Sequence, residues 1–136
     1  MITNYLLVEA IKIIKEPFKN KDKKPLFINL KDSDIWWVDL PRRRDLYHGT
    51  TFSIRCKDKQ CSFIGHIVTP RNEEHIISDK LKKSDCDITS IHQHPESIMA
   101  TIPGKEEQKK ESHIHFKCNR KSRDDTMKIA NFLREL

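Results

Sequence analysis

Between residues 3 and 16, apolar side chains return at Leu7, Ala10, Ile11 and Ile14, with Leu6 and Ile13 flanking them. That spacing gives an amphipathic helix one buried stripe. Thr3 or Asn4 can cap it, and Pro17 ends it by disfavouring helical geometry at Glu16. Beyond the polar connector KNKDKK the period changes to two. Leu26, Ile28 and Leu30 alternate, then Trp36, Val38 and Leu40, around the turn-like KDSD, which predicts a hairpin with one apolar face. PRRRDLYHG (41–49) reads as a loop. A second hairpin follows in TTFSIRCKDKQCSFIGHIV. With Cys56 facing Cys61 across KDKQ, Ile54 meets Phe63 and Phe52 meets Gly65. The opposite, mostly polar face then carries Ser53, Arg55, Ser62, Ile64 and His66.

After Pro70 a short helix is expected, with Asn72 as its cap and Glu73 and Glu74 in its first turn. Residues 87–94 read as a strand, 95–111 as a polar loop and 112–118 as a second alternating strand. From Ser122 to Leu136 a closing helix buries Ile129, Phe132, Leu133 and Leu136, and Ser122 with Asp125 resembles a capping box. No repeat and no domain boundary interrupts residues 1–136. Strands between two terminal helices predict a single α+β domain: an antiparallel sheet of about five to six strands. The N- and C-terminal helices cover one face, and the other is open to water.

This arrangement gives the histidines a common address. In SHIHFKC the apolar Ile114, Phe116 and Cys118 should face the core, turning His113, His115 and Lys117 outward. In DITSIHQH the matching choice turns Thr89 and Ile91 inward and His92 and His94 outward. If the two strands pair with Ile91 opposite Phe116, His92 falls opposite His115 and His94 opposite His113. All four imidazoles then share the open face. A long connection, 95–111, is the weak point of that pairing.

Such a patch suits three roles. It can ligate zinc or another transition metal. It can cleave RNA as an acid–base pair, because imidazole titrates near neutrality. Or it can be ordinary polar surface. Cupin-like barrels need more glycine than Gly49, Gly65 and Gly104 provide, and two-histidine phosphoesterases carry a hydroxyl residue where this chain has histidine. A nucleotide-binding loop is equally improbable with so little glycine.

Charge narrows the partner. Lys and Arg number 26 against 20 Asp and Glu, a net charge of +6, which favours a polyanion, although ordinary solvated charge gives the same total. The basic clusters are Arg42, Arg43 and Arg44, then Lys117, Arg120, Lys121 and Arg123, with Arg55 on the polar face of the second hairpin. Tyr47, His48 and Trp37 offer stacking surface beside the first cluster. No apolar run reaches membrane-helix length and no secretory leader is visible, so a cytoplasmic protein with no membrane contact is expected. In that setting Cys56, Cys61, Cys86 and Cys118 are expected to be reduced thiols packed in the core rather than zinc ligands.

From TTFSIRC onward the order is a hairpin, a histidine-bearing turn, a strand ending HIHF and the helix MKIANFLREL. It resembles a group of small bacterial domains of uncharacterised activity whose last strand reads His-Ile-His before a closing helix. The likeness covers roughly the C-terminal two thirds, and this chain departs from the group in segment 71–111 and in lacking Asn-Pro after the turn histidine. The resemblance implies the order of elements and no activity.

The expectation is therefore a nucleic-acid-associated protein, with RNA or another single strand favoured, acting through a basic, histidine-bearing face. Its enzymatic form is a small ribonuclease of toxin or mobile-element type. There His113, His115, His92 and His94 act as acid, base or ligand, while Lys117 and Arg120 contact phosphate. No cofactor is expected, zinc on the histidines being the one candidate. The alternative is a protein-interaction module, such as an inhibitor or accessory subunit carried by a phage or plasmid.

Overall fold

The structure, a computed structural model, describes residues 5–15, 26–29, 35–41, 48–94 and 111–136. Helix α1 (Tyr5–Lys15) precedes strands β1 (Leu26–Asn29), β2 (Ile35–Pro41), β3 (Gly49–Lys57) and β4 (Gln60–Pro70). A 3₁₀ turn, Arg71–Glu73, leads into α2 (Glu74–Lys83), followed by β5 (Asp87–His94), β6 (Glu111–Lys121) and α3 (Arg123–Arg134). The strands form one six-stranded sheet in the order β1-β2-β3-β4-β6-β5, antiparallel at every junction. This is the α+β architecture the sequence predicts.

Alternation decides which face is buried. Val38, Leu40, Phe52, Ile54, Phe63, Ile67, Ile114 and Phe116 point to one side and are buried. Against them lie Leu7, Ala10 and Ile14 of α1 and Ile129, Ala130 and Leu133 of α3. The sequence anticipated only the terminal helices there. In fact α2 joins them, burying Ile77 and Leu81 in the same core. The rings of Phe52 and Phe63 sit 5.9 Å apart, and burying each such side chain stabilises by about 1.5–3 kcal/mol. Helix α3 begins as expected: Ser122 Oγ accepts from the Asp125 backbone N–H at 3.4 Å and donates to its carboxylate at 3.1 Å. Asn72, by contrast, caps nothing; neither the 3₁₀ turn nor α2 has a side-chain cap.

Two local expectations change. Leu26 and Ile28 do not face the core; they are 52% and 43% exposed. Phe27 stands opposite Val38 and therefore shares its buried face, leaving its apolar neighbours on the open side. The β3–β4 connection is also shorter than the four-residue KDKQ loop. Lys57 pairs with Gln60, leaving Asp58 and Lys59 as a two-residue turn, with Asp58 in the left-handed region at φ 57°, as tight hairpins require.

The cysteines are the larger correction. All four are buried, as expected, but they are paired as disulfides rather than reduced: Cys56 with Cys61 and Cys86 with Cys118. The reason is register. Cys56 and Cys61 are direct cross-strand partners with Cα atoms 4.0 Å apart. Cys86 adjoins Asp87, the partner of Lys117, which brings it to 4.4 Å from Cys118, and both separations are short enough for disulfide bonding.

Candidate functional site

The face that the described helices leave uncovered is built by the residues that alternate with the core set. On β6, Ile114, Phe116 and Cys118 are buried, so Glu111, His113, His115 and Lys117 project to the open side. On β4, Phe63 and Ile67 are buried, which turns Ile64, His66 and Val68 outward. β5 pairs with β6 as expected, but two residues away from the expected register. Ile91 lies opposite Ile114 and His92 opposite His113, while His94 reaches the register of Glu111. The pairing is also irregular between Ile88 and Ser90: Thr89 is an extra, exposed residue, not the inward-facing one expected.

Three strands thus bring four imidazoles into contact. His66 is the direct partner of His115. Their rings stack with centroids 5.3 Å apart, and His66 also stacks on His113 at 5.9 Å. His92 meets His115 edge-on at 5.3 Å. The His113 Nε2–H donates to Glu111 Oε1 at 3.2 Å; a carboxylate accepts only, so this contact orients the ring and selects its tautomer. Behind it, the wholly buried His48 lies 3.9 Å from the other oxygen of Glu111.

Partial burial holds His66 below the usual imidazole pKa, reinforced by His115 and His113 and opposed by Asp39. His115 is lowered too, first by burial and then by His92 and His113. His66 and His115 therefore favour the neutral ring at neutral pH, the form that can accept a proton or bind a metal. Yet the stacked rings do not converge on a common point. Among the described residues no three His, Cys, Asp or Glu side chains are arranged to hold a metal ion.

Of the predicted site residues, His92, His113 and His115 come together. His94 lies in register on the same strand pair. The residue that sequence reasoning left out is His66, which completes the cluster, together with Glu111. The sequence puts His66 on the polar face of its hairpin, and the distant pairing of β4 with β6 is what brings it to His113 and His115.

The basic residues are more scattered. Arg55 and Lys117 lie on the open face, two strands apart. Arg123 does not: it pairs with Glu9 of α1 at 3.0 Å, in the helical layer. Arg42, Arg43, Arg44 and Tyr47 lie outside the described residues, as does segment 95–110, and Arg120 and Lys121 lie at the end of β6. The same face also exposes apolar side chains: Ile64 on β4 beside the histidines, and Trp37, Leu26 and Ile28 farther off on β2 and β1.

Comparison with protein families, with curated proteins and with solved structures finds no match to this chain. The reading of the site rests on its own chemistry.

Proposed function

We propose that the protein binds single-stranded RNA on the open face of its sheet and cleaves it with the histidine cluster as acid and base. The observation that carries this reading is the ring-to-ring assembly of His66, His92, His113 and His115 from three strands. In the proposed step a neutral imidazole takes the proton of a ribose 2′-hydroxyl, and the 2′-oxygen attacks the adjacent phosphorus. A protonated imidazole gives its proton to the departing 5′-oxygen. The products are a 2′,3′-cyclic phosphate and a 5′-hydroxyl. His66 and His115, whose rings favour the neutral form, suit the base. His113, oriented by Glu111, and His92 suit the acid. Lys117, two residues along β6 from His115, and Arg55 are the proposed phosphate contacts. Trp37, 42% exposed, offers a base a stacking surface.

The test is cleavage of a labelled oligoribonucleotide in the presence of EDTA. A cyclic-phosphate product that disappears when the 2′-hydroxyl at the cut is removed supports the mechanism. An intact oligonucleotide across pH 5–8 discards the catalytic part.

A second reading, a protein-interaction module, is favoured by the exposed Leu26, Ile28, Trp37 and Ile64 on the same face. In that reading Trp37 and Ile64, not the histidines, carry affinity. No helix among the described residues is long and apolar enough to cross a membrane. The two cysteine pairs weigh against the cytoplasmic setting expected from the sequence and favour a compartment in which disulfides persist. Carriage by a mobile element stays part of the proposal.

A further inference from the structure

We infer that protonation of the histidine cluster is what makes the open face attractive to a polyanion, so that acidity switches the RNA binding proposed above. The inference rests on that binding reading and adds its regulation.

The first observation is a charge balance. The described open face carries Arg55 and Lys57 on β3 and Lys117 on β6, against Asp39 on β2, Asp87 on β5 and Glu111 on β6. Three cations meet three carboxylates, and β1 adds only the uncharged Leu26 and Ile28. The chain's net charge of +6 is therefore not expressed on this part of the molecule. Described cations such as Lys12, Lys15, Lys80, Lys82, Lys83 and Arg134 belong to the helices instead.

The second observation is the cluster itself. Histidine is the side chain whose charge ordinarily changes between pH 5 and 8, and this face gathers His66, His92, His113 and His115 ring to ring. The groups around them are those just named, with His94 in register opposite Glu111 and His48 beyond that carboxylate. When the four rings are neutral the described face has no excess charge. Each proton taken up adds one positive charge to its β4–β6–β5 side.

The third observation is proximity. At ring separations of 5.3 to 5.9 Å, one imidazolium opposes the next, and the neighbouring rings hold His66 and His115 toward the neutral form. Partial burial acts in the same direction on His66 and His115. A phosphate lying over the cluster relieves that opposition. Linkage then runs both ways: acid strengthens polyanion binding, and the bound polyanion draws protons onto the rings.

The experiment measures fluorescence anisotropy of a labelled 2′-O-methyl oligouridylate, which cannot be cleaved by the proposed step, at pH 7.5 and 5.5 and at several salt concentrations. Circular dichroism checks the fold at each pH. The expected result is binding about tenfold tighter at pH 5.5, with a salt slope steeper by about 0.7 for each proton taken up. The double variant His66→Gln with His115→Gln is expected to lose most of this pH dependence. If it fails to fold, His92→Gln on the exposed edge strand is expected to lose a smaller part. Equal binding by the wild-type protein at the two pH values overturns the switch while leaving RNA binding intact, and so does a variant that keeps the full pH dependence. Binding at neither pH removes the RNA reading itself, and the switch with it.

Discussion

His66 and His115 stand directly opposite each other across β4 and β6, with their rings stacked 5.3 Å apart. Direct cross-strand partners hold their Cβ atoms about 4.5–5.5 Å apart, so neither ring can leave the other without a change of rotamer. The pair belongs to strands anchored from beneath by Phe63, Ile67, Ile114 and Phe116. Held in this way, the pair suits the proposed proton transfer without any loop closure.

Replacing His115 by Ala should lower RNA cleavage by about 10²- to 10⁴-fold, the range for loss of a positioned acid or base. The side chain lies on the water-facing side of β6, so the melting temperature should move little. Product analysis of wild type and variant, with thermal melts of both, checks this. A variant that melts like the wild type and cleaves at wild-type rate removes His115 from the mechanism.

Stability should decline as the solution is acidified. His66 and His115 have pKa values in the folded protein below the ordinary 6.5. The unfolded chain therefore takes up their protons first as pH falls through that value. Stability from these two groups is fully present above pH 6.5 and is lost on the way down to their folded pKa values. Urea midpoints from pH 7.5 to 5 should fall in the wild type and fall less in the His66→Gln, His115→Gln variant.

Arg123→Ala should leave RNA affinity unchanged. Its guanidinium is held by Glu9 of α1 on the helical side of the molecule. That pair is well exposed and contributes at most about 1 kcal/mol to stability. Lys117→Ala, on the histidine face, should weaken binding and lower its salt dependence. Titration of both variants with one oligonucleotide separates the two surfaces; equal losses contradict the assignment.

Gly65→Ala should destabilise by about 1–3 kcal/mol, the range for overpacking a close-packed interior. A Cβ on Gly65 would collide with the carbonyl oxygen of Thr51 and with Phe52. The neighbouring His66 would move with the displaced strand, so denaturant midpoint and cleavage should fall together.

The two disulfides should differ in weight. Cys56–Cys61 spans a sequence separation of 5 and Cys86–Cys118 one of 32. Chain-entropy arguments assign about 2 and about 4 kcal/mol respectively. Replacing Cys86 and Cys118 by Ser should therefore lower the melting temperature more than the same change at Cys56 and Cys61. It should also loosen β5, read as faster amide exchange around His92.

The parts of this arrangement visible in the sequence are those set by neighbours along the chain. Cys56, Ile54 and Phe52 alternate so regularly that their partners on β4 follow from hairpin geometry. The same alternation puts His113 and His115 on one side of β6. Non-local pairing is where local pattern loses its grip. Nothing near His66 announces that β6, nearly fifty residues away, will lie beside it. Thr89 slips an extra residue into β5 without any glycine or proline to mark it. Leu26 and Ile28 looked like a buried pair because both are apolar, yet the register against Val38 favours the Phe27 between them. The cysteines pair as disulfides where reduced thiols were expected, while the opposition of Cys56 and Cys61 across the β3–β4 turn was legible from the start.

The strand order has a consequence for how the molecule comes into being. β6 enters the sheet between β4 and β5, both of which precede it in the chain. Until residues 111–121 arrive, β4 is an unsealed margin with half its backbone hydrogen-bonding groups unmatched, and β5 has no strand to rest on. A growing chain can close the β1–β4 meander early, because its contacts are local, and must wait for the last insertion to finish the sheet. The histidines of β4 and β5 meet through that same event. The histidine face and the completed sheet therefore form in one step, and the proposed activity on RNA would wait for it.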